Sequence, residues 1–213
     1  MERKVTLWIY VGAFFISLVV FLAGIFVGQT IESSAVEGIA TDVTSVSQKV
    51  ASLQLLMLLE GDTSSFCPVY VSELDAIDEE VELVGHRLSF LEEKKDFVDV
   101  ELKKEYFVLQ AQSYLLSKKL HDACGDDSTL LIHFYSNEKC EKCTEQGIDI
   151  LKARDELSDM KLKLYSFDGT LGSPVADAFK KQYNVTRYPT LVINGQTYPG
   201  YKTVSEIKDL VEQ

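Results

Sequence analysis

The residues best suited to chemistry are Cys140 and Cys143, in the tetrapeptide Cys140-Glu141-Lys142-Cys143. The tetrapeptide follows the apolar run Leu130-Leu131-Ile132-His133-Phe134-Tyr135 and precedes a stretch whose spacing predicts a helix. A helix N-terminus presents unpaired N–H groups and partial positive charge, which favour a thiolate over a thiol. Cys143, three residues on and on the same face, is placed to attack a mixed disulfide formed on Cys140. The spacing points to thiol–disulfide exchange, with Cys140 attacking and Cys143 resolving. Zinc is the competing reading. It normally takes four ligands, and with His133 nearby but no second CxxC the set is short. No metal and no cofactor is expected.

The elements that must position the pair follow from the flanking pattern. Thr129–Ser136 reads as a buried strand, Cys140 to about Ser158 as an amphipathic helix, and Lys161–Phe167 as an alternating strand. Pro174 opens a helix that runs to about Tyr183. Pro189–Ile193 predicts a strand, Asn194-Gly195 a hairpin turn into Gln196–Tyr198, and Thr203–Val211 a closing helix. The order βαβαββα implies two parallel-type crossovers before an antiparallel hairpin, giving a mixed α/β sheet with helices on both faces.

Residues 128–213 resemble a thioredoxin-fold domain. The resemblance rests on the strand-end CxxC, on Tyr183-Asn184-Val185-Thr186-Arg187-Tyr188-Pro189-Thr190, and on Asn194-Gly195 followed by Gly200. It implies that Pro189 is cis and faces the disulfide, and that the Tyr188 backbone pairs with an extended substrate. Departures are visible. Lys139 stands where thioredoxins usually carry Trp, and Glu141-Lys142 where they carry Gly-Pro. His133 falls near the place of a buried Asp that serves proton transfer in that superfamily. It is a candidate base, against the alternative of a structural strand histidine. Lys139 and Lys142 favour a thiolate while Glu138 and Glu141 oppose it, so the redox direction stays open.

The start of the chain suggests a compartment. No charged residue occurs from Val5 to Ile31, which is long enough to cross ~30 Å of hydrocarbon and longer than the apolar core of a signal peptide. Arg3 and Lys4 precede the run and Glu32 and Glu37 follow it. The positive-inside tendency then puts a single-pass anchor (1–31) in the membrane, with the N-terminus cytoplasmic and the C-terminal domain extracytoplasmic. Residues 29–127 carry 20 acidic and 8 basic side chains, which argues against nucleic acid as a partner. The expected partners are cysteine-containing exported proteins or a membrane redox protein.

Residues 32–127 read as a helical coiled-coil or hairpin region. The stripes are Val36, Ile39, Val43, Val46, Val50, Leu53, Met57; then Leu74, Ile77, Val81, Val84, Leu88, Leu91; then Leu102, Tyr106, Leu109, Leu116, Leu120, with Ser113 as a polar interruption. Residues 61–65 predict a loop. Residues 92–96 predict either a tight turn or a stutter in one long helix. Folding back near 94–97 would bring Cys67 and Cys124 to one base for a structural disulfide, whereas a continuous helix would separate them by roughly 80 Å. The stripe over 36–57 suits a homodimer, or equally a three-helix bundle in one chain.

These features favour a membrane-anchored extracytoplasmic thiol–disulfide oxidoreductase. The alternative is a redox-inactive thioredoxin-fold binding module displayed on a helical stalk. Asn184-Val185-Thr186 also fits a glycosylation sequon, competing with a tight turn at that point.

Overall fold

The structure is a computed structural model that describes residues 7–59, 66–95, 99–138, 140–157 and 161–212. The chain divides into two compact units, Met1–Asp42 and Val43–Gln213. The first unit is helical from the start of α1 (Leu7–Leu59). Its 18-residue window Ile9–Phe26 has a mean hydropathy of 2.5 and no buried residue. At about 1.5 Å per residue such a helix is long and apolar enough to cross a membrane.

The second unit begins with residues 43–59, followed by α2 (Cys67–Lys95) and α3 (Val100–Cys124). Val43, Val46, Val50, Leu53 and Met57 are buried, as are the apolar stripes of α2 and α3. Over 43–57 the stripe expected to serve either a homodimer or a three-helix bundle is buried in the single chain. Lys49 pairs with Glu80 of α2 at 2.7 Å, and Ser47 bonds Gln112 of α3 at 3.4 Å. Ser113 is fully buried, with its hydroxyl donating to Asp78 Oδ1. Gly85 lets α2 and α3 approach closely, because a Cβ there would overlap the Tyr106 hydroxyl.

The helices α2 and α3 form a hairpin. Asp99 caps α3 by accepting from Leu102 N–H at 3.0 Å. Gly125, at φ 65, ends it in the left-handed conformation that glycine adopts without a Cβ clash. The hairpin turn expected at 94–97 lies partly, and the loop at 61–65 wholly, outside the described residues. At the other end Cys67 and Cys124 are joined, with their Cα atoms 5.5 Å apart.

The sheet comprises β1 (Thr129–Tyr135), β2 (Leu162–Asp168), β3 (Thr190–Ile193) and β4 (Gln196–Pro199), in the spatial order β2-β1-β3-β4. β1 and β2 are parallel, while β1 with β3 and β3 with β4 are antiparallel, so the sheet is mixed. The second crossover therefore departs from the expected parallel type. Periodicity marks a strand but carries no direction. After α5 (Pro174–Gln182) the chain turns at Asn184, with φ 50, and returns to the C-terminal end of β1 before β3 begins. Asn184 is exposed in that turn.

Alternation along β1 serves two cores. Leu131 packs with Leu191 and Ile193 against Ile150 and Ala153 of α4 (Cys143–Glu156) and Ile207 and Val211 of α6 (Val204–Val211). On the opposite face Phe134 and Phe167 stack, and Phe167 meets Phe107 of α3 and Phe179 of α5 edge-on. Tyr114 packs on Tyr165 and Phe179. α3 is thus a layer of the sheet domain, and the boundary expected at 127/128 falls inside one compact unit. α2 runs beside edge strand β2. Lys163 of β2 pairs with Asp75 and Asp78, both at 2.8 Å, and Arg154 of α4 pairs with Glu82 at 2.8 Å. The Ser166 N–H donates to Gln110 Oε1 at 2.8 Å, which satisfies a donor that an open edge would leave free.

Candidate redox site at the start of α4

β1 delivers the chain to Ser136, and α4 begins at Cys143, so the four residues of the tetrapeptide sit where strand becomes helix. Cys140 and Cys143 form a disulfide, with Cα atoms 5.5 Å apart. The two sulfurs are not equivalent. Cys140 is half-buried, whereas Cys143 is buried at 5% exposure and accepts from the Ser136 N–H at 3.4 Å. The N-cap residue Lys142 makes no side-chain cap bond, so the positive end of the helix is left to act on the pair. Attack from outside has access to Cys140, while Cys143 is held from behind.

The charges divide differently from the count along the sequence. The Lys142 ammonium pairs with Glu145 and lies 5.2 Å from the centre of the Tyr201 ring. Glu145 is held below the usual carboxylate range, first by its bond from Lys142. The Lys142 ammonium is thus directed to the helix side of the motif. Lys139 lies outside the described residues. Tyr201 also donates to Asp149, and that bond pushes its phenol upward. Gln146, fully buried, exchanges two bonds with the Lys202 backbone, at 2.7 and 3.1 Å, and so ties α4 to the segment before α6.

The Tyr188–Pro189 peptide is cis and Pro189 is buried. Thr190 pairs with Phe134, which brings Pro189 to the end of β1 from which the CxxC loop departs. Thr190 Oγ1 donates to Arg187 O at 2.8 Å, and Gly200 N–H donates to Pro189 O at 2.8 Å. Tyr188 is half-buried, with its side chain packed against Gly169, where a Cβ would overlap its hydroxyl.

His133 is central in β1, opposite Leu191 and on the face that carries Leu131. It is buried, and its Nε2 has no hydrogen-bond partner among the described residues. Burial lowers its pKa to about 4, so the imidazole is neutral near pH 7. Among the described residues, no group of three or more His, Cys, Asp or Glu is arranged to hold a metal ion.

No family model matches the chain and no curated protein matches it. Solved structures do match, and several of them are thioredoxins or thioredoxin domains by name. A chloroplastic thioredoxin z is 18% identical over 46% of this chain and 86% of its own, with a TM-score of 0.36. The first thioredoxin domain of mouse protein disulfide-isomerase A4 is 24% identical over 45% of this chain and 69% of its own, with a TM-score of 0.32. A malarial protein is 13% identical over 40% of this chain and 94% of its own, with a TM-score of 0.34.

Several residues around the pair escaped the motif reading. Gln146 carried a signal, as a polar residue on the apolar face of an amphipathic helix. Ser136, the Asp168–Thr170 turn and Tyr201 carried none, because they reach the site from three separate segments: the end of β1, the end of β2 and the stretch before α6.

Proposed function

We propose that this chain is a membrane-anchored thiol–disulfide oxidoreductase whose redox pair is Cys140 and Cys143, with its C-terminal domain outside the cytoplasm. The observation that carries the reading is the asymmetry of the disulfide: a half-buried Cys140 bridged to a buried Cys143 at the first residue of α4. In the reducing direction the Cys140 thiolate attacks one sulfur of a partner disulfide and expels a partner thiolate. Cys143 then attacks Cys140 Sγ and expels the second thiolate. Two electrons and two protons pass to the partner, and the pair closes as it stands here. Oxidation of a partner dithiol is the same sequence reversed.

The cis Tyr188–Pro189 segment, at the same end of the sheet, is the candidate surface for an extended partner chain, with Tyr188 pairing through its backbone. His133 remains a candidate for proton transfer on the α4 side of the sheet. Partners in this reading are cysteine-containing exported proteins or a membrane redox protein. The compartment is inferred from the basic residues before the apolar helix and from two disulfides that suit an oxidising environment.

Cys143→Ser removes the resolving thiol and should accumulate mixed disulfides on Cys140, visible as reductant-sensitive adducts of the full-length protein in membranes. Adducts that vanish in Cys140→Ser/Cys143→Ser are the expected result. An empty trap, with Cys140 in the reduced protein still open to alkylation, would favour the redox-inactive binding module.

A further inference from the structure

The turn Asp168-Gly169-Thr170, which begins at the last residue of β2, links the two halves of the candidate site. Asp168 is buried at 3% exposure and accepts through Oδ1 from the Thr170 N–H at 2.9 Å and the Thr170 hydroxyl at 2.6 Å. Thr170 Oγ1 lies 3.1 Å from Ser136 Oγ. Ser136 Oγ accepts from Glu138 N–H at 2.9 Å and donates to Glu138 O at 2.7 Å. The Ser136 N–H is the group that donates to Cys143 Sγ, at 3.4 Å. A hydroxyl has one proton, and that of Thr170 is committed to Asp168. With the Ser136 proton turned from Glu138 O to Thr170, one donor chain runs from Glu138 N–H through both hydroxyls to the Asp168 carboxylate. Each bond in such a chain polarises the next. The same turn supports the rest of the site: Gly169 N–H donates to Tyr135 O at 2.9 Å, and Gly169 carries the Tyr188 ring.

We propose that Thr170 is a positioning residue for the redox pair: its hydroxyl couples Asp168 to Ser136 and so holds the Ser136 N–H on the Cys143 sulfur. The inference rests on the reading of Cys140 and Cys143 as a redox pair. A thiolate accepts a hydrogen bond far better than a disulfide sulfur does, so a donor fixed at Cys143 stabilises the reduced pair. Breaking the chain leaves Ser136 held through Glu138 alone and shifts the pair toward its disulfide.

The test equilibrates the full-length protein with glutathione buffers and reads the Cys140–Cys143 dithiol fraction by alkylation and mass spectrometry. In that equilibrium the pair disulfide and two glutathiones become the pair dithiol and one glutathione disulfide. Thr170→Val keeps the shape and removes the hydroxyl; it should lower the equilibrium constant about tenfold, which is about 30 mV toward the more negative side. Thr170→Ser keeps the hydroxyl and should stay within about twofold of the parent. Ser136→Ala cuts the chain independently, should match Thr170→Val, and decides the matter if that variant does not fold. A folded Val or Ala variant with the parent's constant overturns the proposal, as does a Ser variant that falls as far as Val. If the parent pair never equilibrates with glutathione, the redox reading fails and the positioning role fails with it. If the pair equilibrates but ignores these substitutions, only the positioning role is lost.

Discussion

At the scale of single residues, His133 shows how burial decides what a titratable group does. Its folded pKa is about 4, against an ordinary value of about 6.5, with desolvation as the cause. Between those values the unfolded chain binds a proton that the folded chain does not. Stability from this site is therefore complete above about pH 6.5 and is lost as the pH falls toward 4, by roughly 2 kcal/mol at pH 5. Denaturant midpoints at pH 7.5 and 5 should reveal the slope, and His133→Phe should flatten it. A Phe variant as pH-sensitive as the parent would assign the loss elsewhere. The sequence revealed the identity of His133 and its place on a strand. That its Nε2 finds no partner among the described residues depends on the strands and side chains packed around it, and no local pattern encodes that.

At the scale of elements, strand and helix identities were legible because period two and period 3.6 are local properties. The direction of β3 and the role of α3 were not, because both are fixed by contacts between distant segments. α3 reads as one arm of a stalk, with an apolar stripe of ordinary heptad kind. In the structure its aromatic residues Phe107 and Tyr114 cover the sheet. Gln110 then serves as the edge cap of β2, buried at 4% exposure and accepting the Ser166 N–H. Gln110→Leu leaves that N–H without an acceptor and should cost roughly 2 kcal/mol, read as a lower denaturant midpoint. The glutathione equilibrium of Cys140–Cys143 should not move, since β2 meets Gln110 on the face opposite α4. An unchanged midpoint would mean that water reaches the edge and that α3 seals nothing.

At the scale of the whole molecule, the two disulfides and the apolar helix constrain one another. A bond between Cys67 and Cys124 closes a loop with a sequence separation of 57. Restricting the unfolded chain in this way contributes roughly 4 kcal/mol, large beside the ~5–15 kcal/mol by which domains are stable. That contribution exists only where the bond forms and persists, which a glutathione-reduced cytosol opposes. The charges flanking Ile9–Phe26 point the same way, with Arg3 and Lys4 before the helix and Glu32 and Glu37 after it. Protease added outside intact cells, after removal of any outer wall, should therefore digest residues 32–213. Non-reduced digests should yield a peptide joining Cys67 to Cys124. Full protection without detergent would place both cysteine pairs in a reducing pool, remove the stabilisation expected of the Cys67–Cys124 bond, and leave Cys140 to act on cytosolic thiols. A Cys124–Cys140 peptide would instead make Cys124 an electron donor to the pair and end its structural reading.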